Sequence, residues 1–207
     1  MPEIDHVIFV VTDLEGAGRE LLARHGLASV PGGRHTGHGT GNQIVPLGNA
    51  YLELMAVIDE TEAASSPMGR WALQRRREDL VPTAICLRTD DIDGVARTLG
   101  ETPIVMTRVR EDGVTLAWRL AGLDGMLGSQ TLPFFIQWEV APADHPGAAA
   151  APHRVSPAGI AAVTIGPVTP EIATLIAGVP GLRVGDGAPG VHAVTVATEA
   201  GEVVLAG

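Results

Sequence analysis

Lysine is absent from these 207 residues: all fourteen basic side chains are arginine. That excludes Schiff-base chemistry on a lysine amine and the lysine of a phosphate-binding P-loop. One cysteine, Cys86, excludes an intrachain disulfide framework. Its place inside the apolar run TAICL marks it as a buried strand residue rather than a reactive thiol. No apolar run reaches the roughly 18 residues that a membrane span needs. The stretch MPEIDHVIFVVTDLEG lacks the basic leader of a secretory signal. Positive charge is scarce as well, with a net charge of −10. That balance speaks against nucleic acid or an anionic membrane as a partner. The expectation is a cytoplasmic protein with neither.

What the chain does hold is apolar side chains, 45% of the total, enough for a sizeable core. Glycine and proline supply about a fifth of it, a loop-rich composition still below that of a disordered chain. Ile4 to Val11 is a compact apolar run broken only by Asp5 and His6, and it reads as a strand. Thr12-Asp13 then caps the helical pattern LEGAGRELLARHG, which Gly26 stops. Strand signals follow around Ala28–Pro31, Asn42–Pro46 and Ala50–Val57. The order is β-α-β-β-β.

The pattern recurs. TAICLRTDDIDGVARTLG is again an apolar strand, an Asp cap and a helix, and an offset of 78 carries Asp13 to Asp91. Strands are expected at Ile104–Val109, Val114–Leu120 and Phe134–Val140. A partial third copy starts at Gly159 and closes on the hairpin VHAVTVATEAGEVVLAG. Such repetition is the strongest structural signal in the chain. Residues 67–80, PMGRWALQRRREDL, predict a helix joining the first two units, its arginine run a solvated face. Residues 141–157 have the composition of a linker. His145 and His153 lie there and read as structural or solvated.

Certain polar residues sit where strands should be apolar. With period two, His6 shares a face with Ile8 and Val10, and Glu53 shares one with Tyr51 and Met55. A buried ionisable group needs a partner. If the two strands are neighbours, His6 and Glu53 meet, either as the start of a divalent-metal site or as a hydrogen-bonded pair without metal. Projection of the repeat sets Ala84 against His6, and alignment of YLELMAV with FFIQWEV sets Gln137 against Glu53. Arg119, flanked by Trp118 and Leu120, either pairs with an internal carboxylate or greets an anionic substrate. Trp118 and Trp138 line a pocket or pack in the core.

These tandem units, opened by IDHVIFVVTDLEGA and closed by YLELMAV, resemble the vicinal oxygen chelate superfamily of glyoxalases, extradiol dioxygenases and bleomycin-resistance proteins. More narrowly, GGRHTGHGTGNQIVPLGNAYLELMAV is similar to the glyoxalase-like domain proteins. The resemblance covers residues 3 to 140. It implies an α+β fold in which tandem βαβββ units, about 3–58 and 82–140, form a curved mixed-sheet half-barrel cleft. A partial unit over 158–207 would pack on that domain. It also implies a divalent ion (Zn, Mn, Fe, Ni or Co) held from the first and fourth strands of each unit. Residue by residue, that carries to His6, Glu53 and Gln137, since Ala84 cannot ligate. A carboxylate near the ion, Glu53 or Glu139, would shuttle the proton. The implied function is a metal-dependent lyase, isomerase or dioxygenase acting on a small carbonyl or carboxylate molecule. The alternative is a metal-free protein that sequesters a small molecule in the same cleft. The chain would work as a monomer or homodimer.

The run GGRHTGHGTGN invites a phosphate-loop reading, but a strand rather than a helix follows it, so no helix dipole faces an anion. His35 and His38 three apart in a glycine loop do not form a metal pair. The expected role is a connection between the second and third strands at the cleft mouth. Arg34, His35 and Asn42, with Arg119 and Trp118, are then candidates for substrate contact.

Overall fold

The computed structural model describes residues 1–110, 113–129 and 133–207. The first unit runs β1 (Glu3–Val10), α1 (Leu14–His25), β2 (Val30–His35), β3 (Thr40–Pro46) and β4 (Tyr51–Val57). Helices α2 (Glu60–Ser65) and α3 (Pro67–Arg75) join it to β5 (Ala84–Arg88), α4 (Ile92–Leu99), β6 (Ile104–Val109), β7 (Thr115–Ala121), α5 (Leu123–Ser129) and β8 (Phe134–Trp138). The expected α+β architecture of tandem βαβββ units is borne out. Two helices, α2 and α5, were not anticipated, and α3 stops at Arg75 rather than Leu80.

The repeat is visible at the helix ends. Both α1 and α4 stop at a glycine in the left-handed region, Gly26 (φ 71°) and Gly100 (φ 72°). That conformation lets the glycine N–H return to the last helical carbonyls at no steric cost. The starts differ. Asp91 accepts a hydrogen bond from Gly94 N at 2.8 Å, whereas Asp13 makes no side-chain cap.

All eight strands of the two units form one sheet, ordered β2-β3-β4-β1-β5-β8-β7-β6. Each unit contributes four neighbours, and β1 and β5 meet antiparallel at the centre. Within the units, β1 runs parallel to β4 and β5 parallel to β8. Val7, Phe9, Leu52, Leu54, Ile85, Leu87 and Phe135 are fully buried on one face. The other face is concave. Curvature brings the two edges together, so that Arg108 of β6 lies against Gly33 of β2 and its Nη1 is 3.5 Å from Asn42 Oδ1 of β3.

A second sheet holds β9 (Pro157–Ile165), β10 (Leu182–Val184), β11 (Val191–Thr198) and β12 (Gly201–Ala206), in the order β10-β9-β11-β12. The short helix α6 (Pro170–Leu175) follows β9, and β11 and β12 form the expected hairpin. The linker-like stretch before β9 is fastened to the first unit. Gly48 N donates to Gly147 O at 2.8 Å, and Ala28 N donates to His153 Nδ1 at 2.9 Å. Among the described residues no helix is long and apolar enough to cross a membrane.

Candidate active site

Period-two alternation puts one set of side chains from each strand on the concave face. These include His6 and Ile8 from β1, Tyr51, Glu53 and Met55 from β4, and Trp118 and Leu120 from β7. They line a narrow cleft. Four of the five methionines and all three tryptophans border it. Its polar groups are few and gather at one end.

A β-bulge builds that end. Ile4 pairs with Leu87 and His6 with Cys86, so Asp5 is an extra residue in β1. The bulge turns Asp5 to the same side as His6, which strict alternation forbids. Asp5 is fully buried and accepts from His6 Nδ1 at 2.7 Å, Trp138 Nε1 at 3.0 Å and His145 Nε2 at 3.1 Å. Burial alone works to raise its pKa, but the hydrogen bonds from His145 and His6 outweigh it and hold Asp5 well below the usual carboxylate range. Because an ionised carboxylate only accepts, His6 Nδ1 carries a hydrogen. With Nδ1 engaged by Asp5, the ring turns Nε2 toward the cleft and Glu53. The ring stacks on Tyr51 at a centroid distance of 4.5 Å. Burial, followed by the charges of Asp5 and Glu53, pushes Tyr51 up, so it stays a neutral phenol.

His6 Nε2 faces Glu53 Oε2 at 3.7 Å, and His35 Nε2 faces Glu53 Oε1 at 3.7 Å. Both distances exceed a hydrogen bond. His35 Nδ1 lies 2.9 Å from Thr40 Oγ1, while Asn42 Nδ2 approaches its Nε2 at 3.4 Å. Nε2 thus faces both Asn42 Nδ2 and Glu53. Burial pushes the His35 pKa down, Glu53 opposes this and the nearby Arg108 charge adds to it, so the ring is neutral. Asn42 Nδ2 donates to Glu53 Oε1 at 2.6 Å. Two imidazole Nε2 atoms and one carboxylate therefore converge in a largely buried site.

Two histidines and a carboxylate, each ring anchored through Nδ1, are a donor set that suits a divalent ion. His6, His35 and Glu53 are the residues that would hold it. Among the described residues no three His, Cys, Asp or Glu side chains already gather closely enough to do so.

Gln137 does not join this set. Phe134, Ile136 and Trp138 take the concave face of β8, so Gln137 projects to the opposite face and accepts from Ile92 N at 3.1 Å. The pairing with Glu53 was one residue out of phase. Arg119 shares that outer face, bound to Asp93 at 3.0 Å and Glu139 at 3.2 Å. It has the internal-carboxylate role rather than the substrate one. Arg34 points outward to Glu62 and Asp59. Trp118 lines the cleft. The stretch GGRHTGHGTGN is mostly hairpin: Gly32 to His35 belong to β2, Thr40 to Asn42 belong to β3, and only residues 36–39 turn. His35 and Asn42 thus stand among the buried polar groups rather than at the rim. Sequence reasoning missed Asp5, Arg108 and His145. Asp5 was in view as a break in an apolar run; Arg108 went unremarked inside the expected strand Ile104–Val109, where its charge was the available signal.

A family model described as a glyoxalase-like domain matches residues 4–178. No curated protein matches the chain. Among solved structures, a hypothetical protein from Staphylococcus aureus has the same fold, with a TM-score of 0.68 and 20% identity over 95% of this chain and 91% of that one. Methylmalonyl-CoA epimerase from Mycobacterium tuberculosis aligns with a TM-score of 0.43 and 20% identity, over 68% of this chain and 89% of its own. That score is too low to carry an argument about the site.

Proposed function

The chain belongs to the glyoxalase-like domain family, and from that premise we propose that it is a metal-dependent lyase or isomerase of a small carbonyl or carboxylate compound. The observation that supports this reading is the convergence of His6 Nε2, His35 Nε2 and Glu53 across 3.7 Å inside an apolar cleft. Two ring nitrogens and a carboxylate gathered in low dielectric, beyond hydrogen-bond distance of one another, suit a cation or a mobile proton that joins them. A divalent ion held there supplies Lewis-acid polarisation of a substrate oxygen.

The chain's own residues supply the rest. Asn42 Nδ2 fixes Glu53 Oε1, which leaves Oε2 to accept a proton from the carbon beside the substrate carbonyl and return it. Asp5 orients the His6 ring through Nδ1. The walls formed by Ile8, Met55, Leu120 and Ile136 exclude water, which strengthens each of these interactions.

Protein purified without a metal-affinity tag, then incubated with Mn, Fe, Co, Ni or Zn and desalted, should retain about one ion per chain. His6→Ala, His35→Ala and Glu53→Gln should lose it, and Gln137→Ala should keep it. Failure to retain any of the five ions refutes the reading, as does retention by all three site variants.

The second reading is a metal-free binding protein that sequesters an amphipathic molecule. The soft lining of Met55, Met68, Met106 and Met126 favours it, because methionine adapts to irregular apolar ligands. Ligand binding unchanged by a chelator would support this reading over the first.

A further inference from the structure

Arg108 is the one cation among the cleft's lining residues. It stands on the concave face of β6 with Met106, opposite Leu116 of β7. Nine other arginines have acidic or carbonyl partners among the described residues, such as Arg24 with Glu20, Arg70 with the Ala64 carbonyl and Arg88 with Glu3. Arg108 makes no ion pair with any described residue. Among the described residues its one side-chain hydrogen bond, from Nη1 to Asn42 Oδ1, is long at 3.5 Å, and its Nε is enclosed without a partner. A half-buried guanidinium with an unmet donor is costly to keep unless something else meets it.

The surroundings look built to keep that donor where it is. A Cβ on Gly33 would stand 3.1 Å from Arg108 Cδ and 3.2 Å from Nη1, so the glycine provides the space in which the guanidinium lies. Asn42 holds Arg108 and Glu53 at once, which places the cation beside the polar cluster. Beyond the cluster the wall is apolar, with Trp118, Leu120 and Met126.

We propose that Arg108 is the cleft's anion anchor and that the ligand is an amphipathic monocarboxylate. Its head pairs with the Arg108 guanidinium and its tail lies against Trp118, Leu120 and Met126. The flat fork of a guanidinium matches a carboxylate in two parallel hydrogen bonds. The carboxylate of Glu53, tied to Arg108 through Asn42, disfavours a dianion such as phosphate at the same spot. The inference adds a substrate class to the function proposed above. It rests on that reading only for the chemistry, since the carbon next to the bound head then faces Glu53. The binding step does not need the metal.

The test compares octanoate with octanamide, which share a tail and differ in the charge of the head. Because all three tryptophans border the cleft, intrinsic fluorescence reads binding there directly. The wild-type protein should bind octanoate about tenfold more tightly than octanamide, the amount expected of a charge-assisted pair. Arg108→Gln should abolish the preference, Arg108→Lys should restore only part of it, and Arg119→Gln should leave it whole. Equal affinity for both compounds in the wild type overturns the proposal, and so does a preference that survives in Arg108→Gln. Should Arg108→Gln fail to fold, Arg108→Lys decides: an undiminished preference overturns the two-pronged contact, and a reduced one supports it. Metal content measured on the same samples keeps the two ideas apart. A carboxylate preference without metal retention removes the lyase or isomerase reading and leaves the anchor standing.

Discussion

Gly32→Ala should destabilise the protein, although the local backbone would welcome the change. Gly32 is the bulged residue of β2, passed over between the pairs Pro31–Gln43 and Gly33–Asn42. Its φ lies outside the left-handed region, so alanine brings no backbone strain. On the unfolded side it brings a gain of about 0.4–1 kcal/mol. The side chain reverses the sign. A Cβ there would stand 2.1 Å from Asn42 Oδ1, 2.8 Å from its Cγ and 3.0 Å from its backbone oxygen. Asn42 is 8% exposed and cannot swing into solvent. It can yield only by giving up the 2.6 Å bond to Glu53. Overpacking costs about 1–3 kcal/mol, and a lost hydrogen bond to a charged acceptor about 1.5–3 kcal/mol. Because one displacement causes both, the net cost should be roughly 2–3 kcal/mol once the backbone gain is subtracted. Urea unfolding would measure it, with a constant m-value as the check that only stability has changed. The decisive comparison is a double-mutant cycle with Asn42→Ala, which removes two of the three close contacts. In that background Gly32→Ala should fall within about 1 kcal/mol of neutral. Stabilisation of the wild type, or an equal cost in both backgrounds, would refute the reasoning.

Asp5→Asn retains the shape but leaves at least one of three buried donors without an acceptor, and should cost about 3–5 kcal/mol in thermal unfolding; a loss below about 1 kcal/mol contradicts the central role given to Asp5. The His35 pKa lies below its unfolded value of 6.5, so between those two values the unfolded chain binds more protons and stability falls as pH drops below 6.5. In chelator-treated protein His35→Gln should flatten that decline by up to about 1.4 kcal/mol per pH unit, and unchanged slopes would reject it. Arg119→Gln removes a partly exposed ion-pair cluster on the outer face and should cost no more than about 1 kcal/mol in stability. Any fall in ligand affinity with that variant would show that the outer face is coupled to the cleft.

The repeated units were legible because their signals are local. An Asp before an amphipathic run and a glycine after it define α1 and α4 whatever the rest of the chain does. Sheet curvature and edge approach are not local, and Arg108 was overlooked for that reason: nothing in IVMTRV says that β6 will swing round to meet β2. Asp5 was lost to a bulge. Alternation assigns neighbours to opposite faces, and only the register against β5 reveals the extra residue. Gln137 failed through phase, because one residue of slip transfers a strand side chain to the other face. His145 lay in a segment whose alanine, proline and glycine content reads as linker, yet its ring is buried against Asp5. The pairing of His6 with Glu53 was readable because both sit on long apolar strands, where period two leaves little choice.

The central position of β1 also bears on the order in which the fold can form. This strand, earliest in chain order, finds its partners in β4, about 45 residues later, and in β5, about 80 residues later. Closing such loops spends chain entropy before any contact repays it. During synthesis the first half of the chain emerges with one side of β1 unpaired, an open edge rich in Val, Ile and Phe. Such an edge is prone to wrong partners until the second unit arrives to cover it. Refolding should therefore be slow for a domain of this size, and its yield should fall as protein concentration rises.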